Sequence, residues 1–78
     1  MKPSICRMVI ALVDPVSNNG SDLSPAVITR VWNDTLVNVK TIHDGSASEQ
    51  WLTSVSLFDT EEEARTSGGH CCFWPPRQ

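Results

Sequence analysis

The sequence predicts a mainly β domain: a small five-stranded SH3-like barrel, or a strongly curved antiparallel sheet, with one short helical turn before the last strand. Three observations predict it. Short runs rich in apolar and β-branched residues recur along the 78 residues, several alternating with the period of two of a one-sided strand. Turn chemistry separates the runs, at Asp14-Pro15, Asn33-Asp34, Asp44-Gly45, Gly68-Gly69 and Pro75-Pro76. One segment, residues 59–65, breaks the alternation and opens with acids that suit a helix start.

The elements follow in order. Residues 6–13 read as strand one, with a short buried helix as the alternative; Asp14-Pro15 ends it, because proline cannot donate to a ladder. Residues 17–22, Ser-Asn-Asn-Gly-Ser-Asp, are loop chemistry, and a loop of that length in a compact domain is often functional. Residues 26–32 form the clearest strand, with Val27, Thr29 and Val31 on one side and Ala26, Ile28, Arg30 and Trp32 on the other. Asn33-Asp34 turns the chain into a return strand over 36–42, where Val37 and Val39 face one way and Asn38 and Lys40 the other. After Asp44-Gly45 and the polar segment 46–49, residues 51–57 alternate again, with Trp51, Thr53, Val55 and Leu57 sharing one face. Asp59 or Thr60 caps the helical turn, Gly68-Gly69 stops it, and residues 70–74 make the last strand.

The length allows one domain, residues 1–78, with 1–5 and 76–78 as flexible ends. A domain this small buries only about 60% of the surface of its unfolded chain, so a disulfide, a metal or self-association is expected to support it. The cysteines are Cys6, Cys71 and Cys72, an odd count with two adjacent, which is a poor basis for a disulfide framework. Reduced thiols in a cytoplasm and a homo-oligomer are the expectations that remain. A net charge of −3 with scattered lysines and arginines argues against duplex nucleic acid. No apolar run approaches the roughly 20 residues that span a bilayer, and the N-terminus lacks the apolar core of a signal peptide.

No catalytic constellation stands out, and the chain reads as a non-enzyme without a cofactor. Glu61, Glu62 and Glu63 read as a solvated helix face, not as an acid–base pair. His70 and Cys72 point the same way on a strand and could give two metal ligands, but the other two would have to be Cys6 and His43, whose spacing recommends nothing. No metal site is therefore expected; one of Cys71 and Cys72 is expected to pack in the core and the other to be partly exposed. A His70–Cys71 nucleophile needs a geometry that adjacency in sequence does not supply. The three tryptophans carry more information. Each either fills a thin core or walls a site that stacks a planar group. Arg30 and Trp32 share a strand face opposite Asn38 or Lys40. The ligand-binding candidates are thus Arg30, Trp32, Asn38, Lys40, Trp51 and Trp74: Trp32 and Trp51 to stack, Arg30 and Lys40 to pair with phosphate, Asn38 to read a base or ribose edge. The plainer reading of Arg30 and Trp32 is a surface pair with an aliphatic stem on a ring.

Several stretches resemble a group of short phage and prophage proteins: Pro25-Ala26-Val27-Ile28-Thr29-Arg30-Val31-Trp32, Val37-Asn38-Val39, Asp44-Gly45, Trp51-Leu52-Thr53-Ser54-Val55 and Gly69-His70-Cys71-Cys72-Phe73-Trp74-Pro75. The resemblance spans most of residues 25–76. Phe73-Trp74 stands where those proteins place His-Trp. The resemblance implies a viral origin, a host-cytoplasm setting and action by binding: sequestering a nucleotide-like signal of host immunity, or engaging a host protein or the virion. A binding protein for a small anionic or nucleotide-like ligand is the first expectation. A protein-interaction or virion-structural module without a small-molecule pocket is the alternative.

Overall fold

The computed structural model of the chain describes residues 2–43 and 50–76. The turn expected at Asp44-Gly45 and the polar segment after it lie outside the described residues. Five strands, β1 (Met8–Leu12), β2 (Leu23–Asn33), β3 (Leu36–Thr41), β4 (Trp51–Phe58) and β5 (Cys71–Phe73), close into a barrel in sequence order, with one helix, α1 (Glu61–Ser67), before the last strand. The predicted architecture is therefore the observed one. Four of the ladders are antiparallel. The fifth, β4 with β5, is parallel, because α1 carries the chain back to the start of the barrel before β5 begins.

The barrel interior is narrow, and small branched side chains fill it. Val9 and Ala11 of β1, Ala26 and Ile28 of β2, Val37 and Val39 of β3, Val55 and Leu57 of β4, Cys72 of β5 and Trp74 form one buried cluster. A second cluster lies outside the barrel wall, where Ala64 of α1 covers Cys71 and Phe73, flanked by Ile10, Leu12, Leu23 and Phe58. Strand alternation sends Cys72 into the first cluster and its neighbours into the second. Both Cys71 and Cys72 are thus buried, and the exposed cysteine is Cys6. The expectation that one of the adjacent pair reaches solvent fails because α1 roofs the outer face of β5.

Register shifts interrupt β2 at Thr29 and again at Trp32, and β4 opposite Asn38, and they change which residues face inward. In β2, Ile28 pairs with Val39 and Arg30 with Asn38, so Thr29 is the extra residue. Beyond it Val31 turns to the core while Arg30 and Trp32 turn outward, so those two do not share the face of Ala26 and Ile28. In β4, Val55 pairs with Val37 and Leu52 with Val39, leaving Thr53 and Ser54 opposite Asn38. Ser54 takes φ +56° to make room. Val55 and Leu57 point inward, and Leu52 packs against the core, but Trp51 is exposed and does not share their face.

Helix α1 runs two residues beyond the predicted segment. The Thr60 hydroxyl oxygen caps it by accepting the Glu63 N–H at 3.3 Å, and Gly68 ends it at φ +71°. The segment joining β1 to β2 is held as scaffolding: a short 3-10 turn (Pro15–Ser17) opens it, and buried Asn18 donates from Nδ2 to the carbonyls of Ser21 (3.0 Å) and Leu23 (2.8 Å). Arg65 ties the same segment to α1, reaching Asp22 at 2.8 Å and Glu61 at 2.7 Å. Before β1, Pro3 is buried and the Cys6 N–H donates to the Ile28 carbonyl at 2.9 Å.

Candidate functional site

Five of the six candidate residues gather on one outer face, made by β2, β3 and the start of β4. The register sets them in two rows. Val27, Lys40 and Trp51 lie side by side across three strands, and Met8 of β1 extends the row. Arg30 pairs with Asn38 in the next row, and Trp32 stands just beyond.

At the centre of the face is Asn38, only 5% exposed. Its Oδ1 accepts three hydrogen bonds: from Trp32 Nε1 at 2.8 Å, from the Thr53 hydroxyl at 3.0 Å and from the Ser54 N–H at 2.9 Å. That oxygen fills the β4 bulge and fixes the indole. It is committed to the fold, so Asn38 does not serve as the base or ribose reader that the sequence suggested; it positions Trp32. The Arg30 guanidinium carbon lies 4.2 Å from the centre of the Trp32 ring. At that distance the guanidinium is within cation–π range of the indole face, which restrains the side chain.

Trp51 is the most open aromatic of the described residues, at 61%, against 48% for Trp32. Its cross-strand neighbour is Lys40. The face therefore carries one cation–indole contact, Arg30 over Trp32, and on a diagonal position the cross-strand neighbours Lys40 and Trp51. Among the described residues none of this face is acidic, whereas Asp59, Glu61, Glu62 and Glu63 are collected at the start of α1, on the β4–β5–β1 side. Trp74 is not brought to this face. It is 7% exposed, packs in the inner core, and shows only an edge to a small hollow beside Thr60 and Pro76.

A cleft of about 700 Å³ adjoins the face at the mouth of the barrel, lined by Leu12, Val13, Asp14, Gln50, Trp51, Leu52, Gly69 and His70. Its origin is a difference in strand length. β4 begins at Trp51, but its first partner on β5 is Cys71, opposite Ser56. Ahead of that pair, β1 and β4 flank a lane that β5 has not yet entered. The sequence did not point to Asp14, Gln50 and the apolar floor of this cleft, and it offered His70 only as a metal ligand or as the base of a Cys71 nucleophile. The signal was the relative length of strands four and five, which alternation alone does not fix.

Asp14 is held in place at the rim, its Oδ1 accepting the Val16 N–H at 3.0 Å. Burial, with Cys71 beside it as a smaller cause, pushes the Cys72 thiol up to about 12, far from a reactive thiolate. Among the described residues, no three His, Cys, Asp or Glu side chains converge to hold a metal ion, and no helix is long and apolar enough to cross a membrane. Comparison with known protein families, curated proteins and solved structures finds no match.

Proposed function

We propose that this protein is a non-catalytic binding module of phage type that holds a small anionic, ring-bearing ligand of the nucleotide class, acting in a host cytoplasm by sequestration. The observation that carries the reading is the Arg30–Trp32–Asn38 arrangement. A guanidinium held over an indole, itself pinned by a buried amide, is a phosphate donor whose ordering cost is met before the ligand arrives. Lys40 supplies a second cation on the same face, and Trp51 an open ring for stacking. A self-assembled oligomer, expected from the small core, would multiply such sites.

The test is native mass spectrometry of the purified protein with a panel of nucleotides and cyclic nucleotides. A discrete ligand mass that Arg30→Ala loses, at unchanged thermal stability, supports the reading. Normal binding by Arg30→Ala removes Arg30 from the site, and a protein that stays bare across the panel overturns the nucleotide reading.

One observation favours a second reading, a protein-interaction or virion-structural module. Met8 (44% exposed), Val27, Lys40 and Trp51 form a continuous row over four strands on the outside of the barrel. Such a strip suits a flat partner surface as well as a ring.

A further inference from the structure

We infer that the open edge of β2, residues 29–33, pairs antiparallel with the same edge of a second copy, joining two barrels about a two-fold axis at Val31. The inference rests on the self-association expected of so small a core and gives it a surface; ligand binding by either copy does not depend on it. β2 has 11 residues, but β1 pairs only with residues 23–27. The chain ahead of β1 carries the contact one residue further. The Ile28 N–H donates to the Arg7 carbonyl and the Ile28 carbonyl accepts from the Cys6 N–H, both at 2.9 Å. A turn over residues 4–7 then leads that chain away, the Arg7 N–H donating to the Ser4 carbonyl at 3.1 Å. Among the described residues, no strand pairs with residues 29–33 on that side, while β3 holds the other.

The backbone sets the register of the pairing. Successive residues of a strand point their polar groups to opposite neighbours. Those of Ile28 point toward the β1 side. Thr29 is the extra residue of the register shift, so the alternation moves by one beyond it. Val31, and not Arg30, therefore presents its N–H and C=O to the open side. An N–H and C=O left on a strand edge are a template for another strand. About a two-fold axis, the two copies of Val31 exchange both hydrogen bonds.

The side chains choose a second copy as the occupant. With Val31 opposite Val31 of the second copy, Arg30 falls opposite that copy's Trp32, and Trp32 opposite its Arg30. Both side chains are exposed on the outer face, and Arg30 already lies 4.2 Å from the centre of its own indole. In the pair each guanidinium gains a second indole, and cross-strand neighbours of this kind attract. Thr29 falls opposite Asn33, both exposed and uncharged. Read against itself in reverse, the edge thus sets cation on ring, hydroxyl on amide and valine on valine, and opposes no like charges.

Sedimentation of the full chain over a range of concentrations tests the pairing. A contact of this size should give a reversible equilibrium between monomer and dimer. A chain synthesised with an N-methyl group on the Val31 nitrogen loses both exchanged donors. Its dimer should weaken about tenfold or more, while the dilute monomer keeps its melting temperature. Trp32→Lys sets a cation opposite Arg30 and should also weaken the dimer. Adding Arg30→Glu to it restores an attractive pair and should recover the dimer. An oligomer that both N-methylation and Trp32→Lys leave intact overturns the inference and leaves self-association standing. A chain that stays monomeric up to about 1 mM overturns both.

Discussion

The indole N–H of Trp32 donates to Oδ1 of Asn38 at 2.8 Å, from β2 to β3 across the outer face of the barrel. The same oxygen accepts from Thr53 and from the backbone of Ser54. A buried amide thus closes a bulge on one strand and orients an aromatic ring on another. Asn38→Ala leaves these three donors without an acceptor and should cost about 2 to 3 kcal/mol. In a domain of this size that is a drop of ~10–20 °C in melting temperature. Asn38→Asp keeps the acceptor and should lose less. Thermal unfolding followed by circular dichroism compares the two, and equal losses would show that the hydrogen bonds are not what matters there.

Trp74 and Trp51 should separate stability from binding. Trp74→Phe removes part of a buried ring and should cost about 1 to 2 kcal/mol with little change in ligand affinity. Trp51→Phe should leave stability nearly unchanged, weaken ligand binding and reduce the fluorescence that iodide quenches to that of Trp32. Loss of binding by Trp74→Phe at full stability would return Trp74 to the site.

The cysteines should differ sharply in reactivity. Cys6 is exposed, while Cys71 and Cys72 are buried. Native protein treated with iodoacetamide at pH 8 should gain one adduct, mapped to Cys6, and denatured protein three. A native adduct on Cys72 would contradict the barrel packing, because its thiol, pushed up to about 12 by burial, holds almost no thiolate at that pH.

The Arg65 pair gives a signed dependence on pH. The hydrogen bond from Arg65 holds the Asp22 carboxyl below the usual aspartate range. A carboxyl lowered on folding stabilises the fold above its unfolded pKa of about 3.9 and loses that contribution as pH falls through the lower, folded value. The wild type should therefore melt slightly above Asp22→Asn at neutral pH, and the gap should close in strong acid. Because the pair is exposed, salt should also shrink the gap. A gap that persists at pH 1 to 2 would point to packing and not to charge.

The β2–β3 hairpin was legible because alternation and turn residues act within a few residues of each other. Placing Arg30 with Ile28, and Trp51 with Val55, failed for one physical reason: the bulges at Thr29 and Thr53–Ser54 exist only once β3 lies alongside. A period counted along one strand does not register an extra residue opposite a partner. The proximity of Arg30, Trp32 and Asn38 survived that error, because all three lie on the same side of it. The cleft was not legible, since it comes from β5 being three residues long where five were expected.

β5 is the shortest strand of the five, yet its side chains enter both hydrophobic clusters: Cys72 inside the barrel, Cys71 and Phe73 beneath α1. It also pairs with both β1 and β4 and so closes the ring. β5 therefore cannot open while the barrel and α1 stay packed, since releasing its three residues would expose both layers and two strand edges together. Amide exchange at the best-protected positions of the barrel and of α1 should then proceed through one shared opening, with a single free energy and a single response to denaturant.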